Sequence, residues 1–310
     1  MRRRPNNRGF TIIETLIFLV VSSFVFIAAI SQYSNQQHAV QFRQGVRDIQ
    51  SQLQSMISDV ATSYTPDIST YNCTADTLNN PLVMTPASSP PDNSGCIFLG
   101  KAIGVGNDVY CDKSSVDNCA RYSIIPIIGR RNYYSTPTAV GQPVSTFKQA
   151  QPLALSTCLT HGDYWDSIPC GSSTLPGGPT SRPDLAKRSR FHNVGVYRMF
   201  VRNMDGSSKQ NIGAIAFMQN LDSTSSTSIN NVNLVWLDVP FLYNTESNVT
   251  DAISKLGSSA SDATYINPPY GVTLCIMDGY GQKSAIMVGG NKSQLDVQVE
   301  PVDKLDSGCN

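Results

Sequence analysis

The chain has 310 residues, with 23 Lys plus Arg against 23 Asp plus Glu, 15% charged residues and eight cysteines. Formal neutrality excludes a surface wholly committed to nucleic acid or anionic lipid, which needs a net positive field. The charged fraction is well under the ~25% common in soluble domains, so the surface is polar mainly through Ser, Thr, Asn and Gln.

Arg2, Arg3, Arg4 and Arg8 precede an apolar run over 10–30, with no acid among them. At ~1.5 Å per residue the run can cross a ~30 Å hydrocarbon core, and the positive-inside tendency exports everything after Ile30. A secretory signal would have a shorter apolar core of ~7–15 residues followed by a small-residue cleavage site. Here Ile27-Ala28-Ala29-Ile30 makes a poor site, and the obvious small residue, Gly9, lies upstream of the run. Glu14 is the one acid inside it. An ionisable group in a membrane segment is costly and calls for a partner, so Glu14 is a functional candidate.

The residues Arg8-Gly9-Phe10-Thr11-Ile12-Ile13-Glu14 resemble the cleavage and methylation signature of type IV prepilins and pseudopilins. The resemblance covers about the first thirty residues, with weaker support along the next thirty-five. It implies that a prepilin peptidase cuts between Gly9 and Phe10, and that the new Phe10 amine is methylated. It also implies that Glu14 meets the terminal amine of a neighbouring subunit. The physics agrees, because a buried charge is tolerated when paired and costly alone. A residue without Cβ before the scissile bond also lets a protease approach the backbone closely.

By the same resemblance the fold is α+β and type IV pilin-like, a long N-terminal helix packed on a mainly antiparallel β-sheet head with disulfide-tied loops. The implied partners are other pilin or pseudopilin subunits, the prepilin peptidase and an inner-membrane assembly platform, with no cofactor. The implied location is a single pass through the inner membrane, then an extracellular or periplasmic filament. The competing reading is a plain signal anchor with a stray glutamate. Removing the four leader arginines leaves 19 basic against 23 acidic residues, a mature net charge of −4.

After the apolar run, Phe42, Val46, Ile49, Leu53, Met56, Val60 and Tyr64 recur at spacings of four and three, the stripe of an amphipathic helix. No proline intervenes before Pro66, so one helix is expected over 10–64, about 80 Å long, with Gly45 its weak point. The exported head is then 65–310, with irregular insertions at about 65–120 and 135–190. The second includes Leu175-Pro176-Gly177-Gly178-Pro179. Strands are expected over 122–128, 194–201, 212–218, 232–243, 272–277, 284–288 and 295–299. The glycine-bearing segments 203–208 and 278–283 read as hairpin turns joining the second strand to the third and the fifth to the sixth.

Cys73, Cys96, Cys111, Cys119, Cys158, Cys170, Cys275 and Cys309 all fall in the exported part, where disulfides form. Eight cysteines allow 105 connectivities. The expectation is nearest-neighbour pairing, with Cys275–Cys309 resembling the C-terminal loop of many pilins. No CxxC occurs, and His38, His161 and His192 are scattered, so no metal site is expected. The segment from Cys158 to Cys170 gathers His161, Asp163, Trp165 and Asp166, which could bind a cation or glycan but reads better as a stapled surface loop.

Arg182, Lys187, Arg188, Arg190, Arg198 and Arg202 form a basic run with Phe191, Tyr197 and Phe200 interleaved. Such a run could grip DNA by phosphate neutralisation and base stacking, or be a solvated face beside an edge strand. No GxSxG, HExxH or GxxxxGK[ST] is present, so no enzyme is expected. The leading expectation is a structural filament subunit. Its length, beside main filament subunits that are typically about half as long, favours a minor pilin or minor pseudopilin. The alternative is a tip binding module, an adhesin or DNA receptor.

Overall fold

The computed structural model describes residues 11–62, 71–74, 83–86, 96–105, 122–133, 141–154, 194–202, 209–221, 232–239, 246–256, 266–290, 295–300 and 309. Helix α1, Ile12–Ala61, runs unbroken for 50 residues, about 75 Å. Gly45 lies inside it and is buried rather than a break. The two halves of α1 differ as the hydropathy pattern requires. Large apolar side chains from Ile12 to Ile30 are exposed, Ile12 at 81% and Phe18 at 72%. Phe42, Val46, Leu53, Met56 and Val60 are buried on the head.

The strands in chain order are β1 Tyr71–Thr74, β2 Val83–Pro86, β3 Cys96–Val105, β4 Tyr122–Arg130, β5 Asn132–Tyr133, β6 Gln142–Pro143 and β7 Leu153–Ala154. They continue with β8 Val194–Arg202, β9 Lys209–Asn211, β10 Ala214–Gln219, β11 Val232–Leu237, β12 Val272–Asp278, β13 Lys283–Val288 and β14 Val297–Glu300. Two short helices, α2 Phe147–Ala150 and α3 Glu246–Lys255, complete the described elements. Two five-stranded sheets carry the head, ordered β11-β10-β3-β4-β7 and β14-β13-β12-β8-β9. The strand pairs within them are antiparallel.

The apolar stripe of α1 is shared between both sheets. Val46, Leu53 and Val60 join one core with Ile215, Phe217 and Leu234 of the first sheet and Met199, Leu274 and Ile286 of the second. The far face of the first sheet is covered separately, by Phe147 and Ala150 of α2 and Val249 and Ile253 of α3. Polar ties fix the helix along its length. Gln50 donates to Val297 O at 2.8 Å, Lys101 Nζ pairs with Asp59 Oδ2 at 2.7 Å, and Gln219 donates to Val60 O at 3.2 Å. Near the top of the exposed half, the His38 ring stacks on Tyr280 with centroids 3.9 Å apart.

All seven expected strands form, within two residues of their expected starts. The strand expected over 232–243 stops at Leu237. Two expectations need correction. The region 65–120, read as irregular, contains β3, the middle strand of the first sheet. The segment 203–208 does not join the second expected strand to the third. The antiparallel partner that follows β8 is the short β9, and β10 crosses to the other sheet to pair with β3 and β11. Helix α3 was not anticipated, and neither were α2 and the short strands. The other hairpin forms as read: β12 pairs with β13, and Asp278 accepts from Tyr280 N at 3.0 Å and Gln282 N at 2.7 Å. Gly281 takes φ +85 there, a value glycine adopts without strain.

Candidate functional site

Two places in the fold bear on function: the start of α1 and the outer face of the second sheet. Thr11 is the N-cap of α1, in extended conformation. Its hydroxyl accepts from Glu14 N at 3.3 Å, and Glu14 Oε2 accepts from Thr11 N at 3.3 Å, a reciprocal capping box. An acid in the first turn also complements the helix dipole. The T-x-x-E spacing of Thr11 and Glu14 is the sequence signal for this cap, and the hydropathy pattern does not show it. Glu14 is thereby held pointing back along the chain, against the nitrogen of the residue after Phe10. Gly9 and Phe10 lie outside the described residues.

Beyond the cap, the apolar half of α1 is long and apolar enough to cross a membrane and is uncovered by the head. No other charged residue occurs between Glu14 and His38. Ser23 turns its hydroxyl onto Leu19 O at 2.8 Å and Thr15 onto Ile12 O at 2.8 Å, so these two hydroxyls are satisfied within the helix. This segment can therefore sit in hydrocarbon with a single ionisable group to be accommodated.

On the outer face of the second sheet, Cys275 and Cys309 form a disulfide with Cα atoms 5.4 Å apart. Both are fully buried and pack with Phe200 and Ala285, with half-buried Tyr197 beside them. Tyr197 donates its hydroxyl to Cys309 O. Burial pushes the Tyr197 phenol above its usual range, and Arg198 partly opposes this. Cys96 is also disulfide-bonded. Cys73 is placed on β1 without a described side chain, and Cys111, Cys119, Cys158 and Cys170 lie outside the described residues.

The basic run is divided in the same way. Arg182, Lys187, Arg188, Arg190 and Phe191 lie outside the described residues, as do His161, Asp163, Trp165, Asp166 and His192. Arg198 and Arg202 sit on β8, and the register sets Arg202 directly opposite Lys209 of β9, a cation the sequence reading did not include. Arg198 Nε donates to Asn211 Oδ1 at 2.8 Å. The Arg198 guanidinium and Lys209 Nζ lie 5.8 Å and 5.1 Å from the Phe200 ring centroid, and Lys283 Nζ lies 5.8 Å from that of Tyr197. Desolvation, then Arg202 and Arg198, lower the Lys209 pKa.

The stacking half of the DNA reading needs correction. Phe200 is fully buried under these cations and offers no ring to a base, while Tyr197 is half-buried with its hydroxyl held by Cys309 O. What remains is a cationic rim of Arg198, Arg202, Lys209 and Lys283 around an apolar patch stapled by a disulfide.

Among protein families, residues 4–30 match a prokaryotic N-terminal methylation motif. No curated protein and no solved structure matches the chain. The chain thus carries a type IV prepilin or pseudopilin-type N-terminal signature on an α+β fold of pilin-like plan, a long apolar helix followed by antiparallel sheets with a disulfide near the C-terminus. The signature points to a processed, membrane-anchored class of structural subunit that assembles with others of its kind.

Proposed function

We propose that this chain is a minor pilin or minor pseudopilin of a type IV pilus, type II secretion or DNA-uptake filament. It is cut after Gly9 by a prepilin peptidase, methylated on Phe10 and assembled through α1 at the inner-membrane platform. It performs no chemistry of its own. The observation that carries this reading is the pairing of a methylation motif at 4–30 with a helix half whose apolar side chains the head leaves uncovered. Such a surface needs lipid first and the helices of other subunits afterwards. Glu14 accepts from Thr11 N, the nitrogen next in sequence to the amine that the proposed cleavage would create. The neighbour's amine offers the pairing that a carboxylate in hydrocarbon requires.

Mass spectrometry of the protein recovered from the assembled machine tests this reading. The expected N-terminus is methylated Phe10. A chain beginning at Met1, or beyond the apolar run, would overturn it.

A second reading, a tip module that grips DNA, has one observation in its favour, the cation rim of Arg198, Arg202, Lys209 and Lys283. With Phe200 buried, recognition would rest chiefly on phosphate. Binding measured by gel shift should then fall steeply with salt and show little base preference. Binding that is absent at low salt, or indifferent to removal of these cations, would exclude this role.

A further inference from the structure

Arg130 ends β4, opposite Cys96 of β3 in the register, and is 2% exposed. Its Nε donates to Gln149 O in α2. Both terminal amino groups, Nη1 and Nη2, are buried without a hydrogen-bond partner among the described residues. Burial lowers its pKa, but a guanidinium keeps its proton in any folded protein. Arg131 beside it in sequence is exposed and brings no opposite charge.

A buried charge without its counter-charge is among the costliest arrangements a fold can hold. The Gln149 carbonyl supplies one acceptor at one edge of the guanidinium. The remaining edge presents parallel N–H donors, the fork that matches two oxygens of one acid group. We infer that Arg130 is the binding residue of a small oxyanion, a carboxylate or phosphate held by the two terminal amino groups at the junction of β4 and α2. The ion is enclosed rather than adsorbed, because these donors have almost no contact with solvent. It would hold the β4 end and α2 together over the far face of the first sheet, where Phe147 and Ala150 pack.

The test uses the full chain in detergent, exchanged into Tris chloride and titrated separately with sodium acetate and sodium phosphate against sodium chloride at matched ionic strength. The expected result is a saturable rise in melting temperature of about 5 °C with one oxyanion beyond the chloride response. The stronger of the two identifies a carboxylate or phosphate ligand. Arg130→Met should melt independently of both. Arg130→Lys, which keeps the charge but loses the fork, should respond more weakly than the natural protein. A natural protein that answers acetate and phosphate no more than chloride would overturn the inference, as would either variant responding in full.

Discussion

Glu14 has one role that the structure shows and one that we propose. Within a single chain it caps α1 through Thr11 N, an exposed hydrogen bond at 3.3 Å that a glutamine can also make. The proposed pairing with a neighbour's amine needs the charge. Glu14→Gln and Glu14→Ala should therefore both be processed after Gly9, and both should be depleted from filaments by tenfold or so. The cap alone, worth about 1 kcal/mol, would spare Gln and penalise Ala. Immunoblots of filament and membrane fractions decide between these patterns, and normal incorporation of the Gln variant would show that the cap is all that matters.

Tyr197 gives a second test at the same scale, through pH. Its phenol is raised in the folded protein, so above pH 10 the unfolded chain loses the proton first. The folded state then binds more protons. Its contribution is fully present below pH 10 and is lost as the pH rises through the folded value. Lys209 is lowered and acts in the opposite sense, adding stability as the pH rises toward 10.5. Tyr197→Phe should lower the denaturant midpoint at pH 8 by an amount equivalent to about 1 kcal/mol, for the lost hydrogen bond to Cys309 O. It should also flatten the alkaline fall. An unchanged fall would mean that the Tyr197 phenol does not govern it.

At the scale of elements, β3 is the instructive failure of sequence reading. Its Cys96-Ile-Phe-Leu-Gly-Lys-Ala-Ile-Gly-Val run lacks alternation because both faces of the sheet are covered, and two glycines make it look like a turn. Gly100 is there for another reason. A Cβ at this position would lie 2.0 Å from Phe217 O of β10, beside the register shift between β3 and β4. Backbone cannot yield as a flexible side chain can. Gly100→Ala should therefore destabilise the head by roughly 3 kcal/mol, read as a shifted unfolding midpoint. A loss under about 1 kcal/mol would mean that β3 and β10 separate easily.

The elements that were legible have strong local signals. Helix α1 has its apolar run and its three-and-four spacing, and β12–β13 has Asp278 and Gly281 to set the turn. Pairing across the chain has no such signal. Nothing in 203–219 says that β10 leaves β8 and β9 for a partner more than a hundred residues upstream. Arg130 was invisible for the same reason, since its isolation is a property of packing and not of its neighbours in sequence.

At the scale of the whole molecule, α1 belongs to two solvents, and the boundary lies where His38 stacks on Tyr280. Below it the apolar side chains make no core with the head, and above it Phe42 to Val60 form the ridge on which both sheets close. Burial of these five side chains, at roughly 1.5–3 kcal/mol each, is comparable with the whole net stability of a domain, about 5–15 kcal/mol, so the second half of the helix cannot be spared. The first half can. A chain beginning at residue 31 should be soluble without detergent and melt within a few degrees of the full-length protein, whereas one beginning at residue 63 should fail to fold. Circular dichroism melts and size-exclusion chromatography compare the two. If the chain from residue 31 aggregated or lost its cooperative transition, the apolar half would be supporting the head, and assembly through a free helix would have to be abandoned.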